Sequence, residues 1–315
     1  MPNTEPDRDH VAVGVILAGG DQVIVARRAD HLHQGGLWEF PGGKVHDNES
    51  VEQALVRELH EELAIDIHEY APLIQIPYDY GDKQVLLDVF IVGDFSGDPV
   101  GQQGQEVQTV AIDALRDMTF PAANKGIINA LMLPDVFMIT ASKSSHEAVM
   151  QQVNTALQNG VRLFQFRAHE LDDEEYLQRA EEMAGVCQQQ GALVILNTSV
   201  ENFQRATADG LQLTSRELMA YQQRPVDNRV ILGASIHNAE EMQKANQLGV
   251  DYALLSPVKA TASHPDATPL GWERFAEITA LATMPVYALG GMSMDDLNDA
   301  LECGAQGIAA VSLFK

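Results

Sequence analysis

The sequence predicts two domains, an α+β unit over residues 1–133 and a (β/α)8 barrel over residues 134–315 that lacks a full eighth helix. Three observations carry this. The first half mixes strand-like runs with one well-marked helix, whereas from Val136 short apolar runs alternate with helical stretches. Pro134-Asp135 breaks the helical pattern just ahead of that change, since proline offers no N–H and drives its predecessor out of the helical region. At 315 residues the chain is also long enough for two separate cores.

In chain order, VAVGVILA (11–18) and QVIVARR (22–28) flank Gly19-Gly20-Asp21 and predict a hairpin. QVLLDVFIV (84–92) predicts a further strand, and 124–133 a short helix. The barrel strands are expected at 136–140, 162–166, 192–196, 210–213, 230–234, 251–255, 285–289 and 307–311. Helical patterns at 146–158, 174–189, 239–248 and 294–303 lie between them. The chain ends at Lys315, just after the eighth run, so no full eighth helix is expected.

Composition narrows the function. Hydrophobic content of 45% with 21% charged residues is that of a folded globular chain. No apolar run approaches the roughly 18 residues of a membrane span, and the start MPNTEPDRDH does not resemble a secretory signal. Cys187 and Cys303 are the only cysteines, which points to a reducing cytoplasm and away from a disulfide framework. Twenty Lys+Arg against 45 Asp+Glu give a net charge of −25, which argues against duplex nucleic acid as a partner. A small anionic substrate stays compatible if a metal ion accompanies it.

The richest stretch is GGKVHDNESVEQALVRELHEELAID (42–66). Ser50-x-x-Gln53 is a capping box that starts a helix, and Val51, Ala54 and Leu55 form its apolar stripe. Glu58, Glu61 and Glu62 continue the same face. Three acids within about one turn repel one another and oppose the helix dipole near its C-terminus, and Arg57 offsets only part of that charge. A solvated acidic face explains most Glu-rich helices. Here the acids extend a buried stripe behind a Gly-Gly loop, which favours a hard divalent cation taking oxygen ligands.

The segment resembles the Nudix box through Gly43, Glu49, Arg57, Glu58, Leu59, Glu61, Glu62 and Ile65, with Ala64 in place of the usual glycine. That resemblance implies an α/β/α sandwich with a mixed sheet. It also implies Mg²⁺, with Mn²⁺ as a substitute, held by Glu58, Glu61, Glu62 and the Gly42 carbonyl, while Arg57 and Glu49 orient the carboxylates. Glu58 is expected nearest the attacking water.

Residues 27–44 are similar to the MutT-type 8-oxo-dGTP diphosphatases, as is FPAAN (120–124). The resemblance places Arg28, His33, Phe40 and Asp82 beside the nucleotide and gives Asn124 the oxidised guanine. An amide fits that edge because it can meet both O6 and N7–H, while guanine presents an acceptor at N7 and would leave the amide short of a partner. Asn124 could alternatively cap the helix that follows. In the loop where the family has a metal-binding Glu, this chain reads GQQGQE, with Gln103 in place and Glu106 three residues on. The implied reaction gives a nucleoside monophosphate and pyrophosphate, a nucleotide-pool sanitisation that belongs with DNA repair.

Residues 136–315 resemble the thiamine phosphate synthase and thiazole tautomerase barrels through Gln165-Phe166-Arg167, Asn197, GASIH (233–237), DYALLSPV (251–258), ALGGM (288–292) and GAQGIAAVS (304–312). Gly290, Gly291 and Ser312 fall where such barrels bind phosphate, Arg167 and Asn197 where they bind ligand, and His237 where a tautomerase wants a proton shuttle. The synthase set is altered. His169 replaces a diphosphate-binding lysine, Thr198 replaces a metal-binding Asp, Glu217 replaces the second metal Asp, and the Thr-x-Thr-Lys tail reads Thr261-Ala262-Ser263-His264. A barrel degenerate as a synthase that binds a phosphorylated thiazole or pyrimidine is the preferred reading. Alternatives are a thiamine-pathway enzyme whose Nudix half clears pyrophosphates, and a non-catalytic phosphate-ligand sensor.

Overall fold

The computed structural model describes residues 8–31, 33–141, 144–261, 268–311 and 313. The chain divides into two compact units, Met1–Met132 and Leu133–Lys315.

The first unit runs β1 (Asp9–Leu17), β2 (Gln22–Arg27), β3 (Trp38–Glu39), β4 (Gly42–Lys44), α1 (Val51–Leu63), β5 (Asp66–Asp79), β6 (Gln84–Ser96), β7 (Val107–Ala111), a 3-10 turn (Ile112–Asp117) and α2 (Asn124–Met132). Its sheet follows the order β3-β2-β1-β6-β5, with β4 on β1 and β7 on β2. The β1–β6 pairing is parallel and the others antiparallel, so the sheet is mixed. Side chains alternate along β1. Ala12 and Ile16 pack with Ala54, Leu55, Leu59 and Leu63 of α1, whereas Val13 and Val15 pack with Ile127 and Ile128 of α2. One helix therefore covers each face, which makes the expected α/β/α sandwich. The capping box of α1 is formed, with the Ser50 hydroxyl accepting from Gln53 N and the Gln53 side chain accepting from Ser50 N.

The second unit is a closed parallel barrel. Its strands are β8 (Val136–Ile139), β9 (Leu163–Phe166), β10 (Leu193–Leu196), β11 (Gly210–Leu213), β12 (Ile231–Ile236), β13 (Tyr252–Leu255), β14 (Val286–Leu289) and β15 (Gly307–Ala310). Between them lie α3 (His146–Gln158), α4 (Asp173–Gln188), α5 (Val200–Gln204), α6 (Ser215–Ala220), α7 (Ala239–Leu248), α8 (Gly271–Thr279) and α9 (Leu297–Glu302). No helix follows β15 among the described residues. Phe137, Tyr252 and Tyr287 meet edge to face inside the barrel, with ring centroids 5.4–6.0 Å apart. Both buried phenols are satisfied, Tyr252 donating to Gln212 Oε1 at 2.5 Å and Tyr287 to Pro134 O at 2.5 Å. Gly307 is obligatory, since a Cβ there would lie 1.8 Å from Asp135 O.

The hairpin, all eight barrel strands and the patterns at 146–158 and 239–248 lie within a residue or two of expectation. The long β5 was not anticipated, because its exposed face carries polar residues and its period is interrupted by register shifts. The stretch 294–303 splits into a 3-10 turn (Met294–Asp296) and α9. Short α5, α6 and α8 were not singled out, since five to nine residues carry too little periodicity. No helix among the described residues is long and apolar enough to cross a membrane.

Candidate functional sites in the two units

The Gly-Gly loop explains the local geometry of the acidic helix. A Cβ on Gly42 would sit 2.1 Å from Ala12 O, and one on Gly43 would sit 2.1 Å from Glu58 Cδ. Only glycines let β4 press against β1 on one side and the Glu58 carboxylate on the other. Gly42 N–H donates to Glu62 Oε2 at 3.2 Å. Arg57 organises the rest: Nε and Nη2 donate to Glu49 at 3.1 and 2.6 Å, Nη1 to Glu58 Oε1 at 2.6 Å, and Nη2 to Lys44 O at 2.9 Å. Glu61, 57% exposed, reaches Arg57 Nη1 at 3.5 Å. The Arg57 hydrogen bonds, with His46 N–H, hold the Glu49 carboxyl down at about 2.

Glu62 behaves differently. Burial, then repulsion from Glu39, pushes its pKa from 4.5 to about 7, with Glu58 adding to the rise and Gly42 N–H and Arg28 opposing it. Glu39 is itself pushed up by burial although it is paired with Arg28. The region is desolvated and short of positive charge. Among the described residues, no three acidic, His or Cys side chains converge on a common point.

This pocket of charge has a stability consequence. A folded state that retains a proton between pH 4.5 and about 7 loses stability as pH rises through that window. In excess chelator, Glu62→Gln should therefore melt several degrees above wild type at pH 8, a gain on the order of 2 kcal/mol, and lose that advantage at pH 4.5. A melting comparison at the two pH values checks it, and equal melting at pH 8 would contradict it.

Glu62, Gly42 and Gly43 line a cleft together with Arg28, His33, Phe40 and Asn124. Asn124 is 8% exposed and is the first residue of α2. Arg28 pairs with Glu39 and donates through Nε to His33 O at 3.1 Å. Phe40 stacks on Phe120 at 5.5 Å. Asp82 lies outside the cleft wall, 3.6 Å from His33 Nε2. The sequence reading missed Glu39, Tyr80 and Lys83, which share the same wall. Tyr80 meets His33 edge to face at 5.0 Å and its hydroxyl accepts from Ala123 N at 3.4 Å. Glu39 sits on the two-residue β3, and Tyr80 and Lys83 in the turn between β5 and β6, so no periodicity could have flagged them.

An adjoining cleft, lined by Glu39 and Glu62, also contains Gln103 and Glu106. Glu106 accepts from Gln108 at 2.6 Å and lies 3.7 Å from Arg27, while Gln105 donates to Glu62 O at 3.1 Å. Ala64, where the box has glycine, takes the left-handed conformation with φ 56°, which costs an alanine about 1–2 kcal/mol that glycine avoids.

In the second unit, a polar cleft at the C-terminal ends of β9, β10 and β11 is lined by His169, Asp173, Asn197, Thr198, Arg216 and Glu217 among others. Asn197 Nδ2 donates to Gln212 O at 3.1 Å. Glu217 is committed to the cap of α6, accepting from Thr214 N at 2.8 Å and from its hydroxyl at 2.7 Å. Gln165 is 3% exposed, and its Oε1 is buried with no partner among the described residues. Arg167 N bonds Thr140 Oγ1 at 2.9 Å. His237 sits apart from this cleft, its Nδ1 3.0 Å from Glu241 Oε2 on α7. Gly290 and Gly291, at φ 97° and 70°, let the chain at Pro257–Ala260 approach so closely that a Cβ on either would lie under 3 Å from it. Ser312 and residues 262–264 lie outside the described residues.

The family profile described as thiamine monophosphate synthase matches residues 136–314, and the NUDIX domain profile matches residues 12–130. The chain is 41% identical over 95 residues to the 8-oxo-dGTP diphosphatase of Proteus vulgaris, covering 30% of this chain and 85% of that protein. It is 32% identical over 182 residues to the thiamine-phosphate synthase of Bacillus velezensis, covering 56% of this chain and 81% of the other. The chain spans about half the length of the cyanobacterial thiamine-phosphate synthases it matches, such as 57% of the Prochlorococcus marinus protein at 30% identity. Among solved structures, thiamine phosphate pyrophosphorylase from Pyrococcus furiosus is 26% identical with a TM-score of 0.48, covering 60% of this chain and 87% of that one.

Proposed function

The chain belongs to the Nudix family through its first unit and to the thiamine monophosphate synthase family through its second, and we propose that the first unit hydrolyses 8-oxo-dGTP to the monophosphate and pyrophosphate. The observation that carries this reading is one cleft in which the buried Asn124 amide, Arg28, His33 and Phe40 share walls with Gly42, Gly43 and Glu62. A base reader and a carboxylate pole facing one cavity suit a nucleoside triphosphate, whose two ends differ in this way.

The carboxylate pole suits Mg²⁺, or Mn²⁺ in its place. The donors are all hard oxygens, and Glu62 is a desolvated acid with two acidic neighbours, offset by the Gly42 N–H and by Arg28. Glu58, Glu61, Glu62 and the Gly42 carbonyl would hold the ion. When bound, it supplies charge neutralisation to the phosphate oxygens. The chain's own groups do the remainder. Glu58, fixed by Arg57, accepts a proton from the attacking water; Arg57 is fixed by Glu49. Asn124 pairs with O6 and N7–H of the oxidised base, and Phe40 and Tyr80 bound the purine pocket. In this reading the product pair leaves the nucleotide pool clear of an oxidised precursor.

Rates on 8-oxo-dGTP, dGTP and ADP-ribose with Mg²⁺, for wild type and Asn124→Ala, test the substrate assignment. Wild type should prefer the oxidised nucleotide by at least tenfold. Asn124→Ala should lose most of that preference and keep some turnover, because a lost base contact is about 1–3 kcal/mol of discrimination. Equal rates on all three substrates would refute it.

The second unit binds a phosphorylated heterocycle in our reading, a thiazole or pyrimidine phosphate. Gln165 Oε1, without a partner among the described residues, and the Gly290-Gly291 turn favour this. The Mg²⁺ of diphosphate-displacing synthases does not fit here. Thr198 supplies no carboxylate, and both Thr214 donors occupy Glu217 Oε2.

A further inference from the structure

Resting on the reading of the first unit as a nucleotide hydrolase, we infer that Glu39 is a specificity-determining residue. Its charge neutralises Arg28, so that the cleft takes a phosphorylated nucleotide well only when a divalent cation comes with it.

The argument starts from the place of Glu39. It lies on the two-residue β3, in register with Ala26 of β2. Its Oε2 accepts from Arg28 Nη1, and Arg28 Nε donates to His33 O at 3.1 Å. The Arg28 and Glu39 side chains are 25% and 22% exposed, so water screens the pair poorly. Both residues, with Glu62, line the nucleotide cleft and the adjoining one alike. The pair therefore belongs to the wall that the two clefts share.

The other cations of these walls are engaged in the same way. Lys44 and Lys83 reach the two oxygens of one carboxylate, Asp9, at 2.9 and 2.8 Å, and Arg27 lies 3.7 Å from Glu106. Every Lys and Arg lining the two clefts thus faces an acid among the described residues. Two lysines on one aspartate leave a net positive charge, but Glu62 opposes it. Glu62 accepts from Gly42 N–H and has no ion pair among the described residues. A phosphate that enters alone meets a wall whose cations are already matched, in a site where Coulomb forces are strong.

Glu39 is the acid that decides this balance. Asp9 lies outside both cleft walls, and Glu106 lines only the adjoining cleft. Glu39 alone touches the arginine common to both, and it also repels Glu62. Its removal would turn Arg28 into a cation that an anionic ligand can use directly. Glutamine isolates the effect of charge, because an amide oxygen still accepts from Arg28 Nη1 while the counter-charge is gone.

The test uses the full chain in excess chelator, with 8-oxo-deoxyguanosine, 8-oxo-dGMP and 8-oxo-dGTP as probes and calorimetry as the readout. Glu39→Gln should bind the nucleoside as wild type does. It should bind the monophosphate roughly tenfold tighter, and gain more on the triphosphate, because the attraction grows with ligand charge. Glu39→Asp keeps the charge with a shorter reach and should stay within about threefold of wild type on all three. With Mn²⁺ in place of chelator, the gain of Glu39→Gln on the monophosphate should fall below about threefold, since the cation then supplies the missing charge. No gain, an equal gain on all three probes, the same gain from Glu39→Asp, or a gain undiminished by Mn²⁺ would overturn the inference alone. Wild type that binds none of the three, with or without Mn²⁺, would remove the nucleotide reading along with it.

Discussion

Glu58→Gln should lower kcat for 8-oxo-dGTP by about 10²- to 10⁴-fold, the range for loss of a positioned general base, with KM changed far less. The substitution keeps size and shape, so Gly43 still accommodates the side chain. It removes the charge that receives the proton and weakens the 2.6 Å bond from Arg57 Nη1. Arg57 stays anchored by Glu49 and Lys44 O, so α1 should keep its place and the melting temperature should move little. A loss in kcat without a loss of fold would separate a chemical role from a structural one. A kcat within threefold of wild type would mean that another group takes the proton, with Glu62 the next candidate, since it shares the desolvated cleft wall.

The largest stability effect is expected at Arg224→Ala, which should cost about 3–5 kcal/mol. Arg224 is 11% exposed at its side chain and donates to Gly249 O at 2.6 Å, Val230 O at 2.7 Å and Asp251 Oδ2 at 2.6 Å. Asp251 Oδ2 also accepts from Leu232 N at 2.8 Å. Truncation would take the Arg224 cation from a carboxylate at 7% side-chain exposure and the Arg224 N–H donors from two carbonyls. Val230 and Asp251 immediately precede β12 and β13, so this network lies at the N-terminal ends of the strands, away from the polar cleft. Urea unfolding of the full chain should show the barrel transition moved to markedly lower denaturant. A change under about 1 kcal/mol would contradict the assignment of the pair as a structural tie.

The sequence exposed the parts of each unit that repeat a simple period. Four-residue apolar runs marked the barrel strands because both faces of a barrel strand are buried, so every residue in β8, β9, β11 and β13 is apolar or fully covered. The α1 acids were legible because glutamates at 58, 61 and 62 have no stability reason to extend a buried stripe. Partners brought in by long-range pairing were not legible. Glu39 joins Arg28 across β2 and β3, and its repulsion of Glu62 depends on α1 packing under β4. Arg224 lies in irregular chain, and two of its three partners are 25 and 27 residues away. The role of Glu217 could not be read either, since Thr214-x-x-Glu217 spells a capping box and a metal position equally well until the hydrogen bonds are seen. The contact of Glu241 with both the backbone N–H and the ring of His237, where the family resemblance places a proton shuttle, was equally invisible.

Everything proposed for the first unit depends on a cation meeting the α1 carboxylates at one end of the nucleotide cleft. Direct Mn²⁺ binding, followed by electron paramagnetic resonance on the full chain with and without 8-oxo-dGMP, measures this without turnover. Wild type should bind Mn²⁺ at neutral pH, and Glu62→Gln should weaken that affinity by tenfold or more while remaining folded. Mn²⁺ affinity that is absent in wild type, or the same in Glu62→Gln, would contradict it.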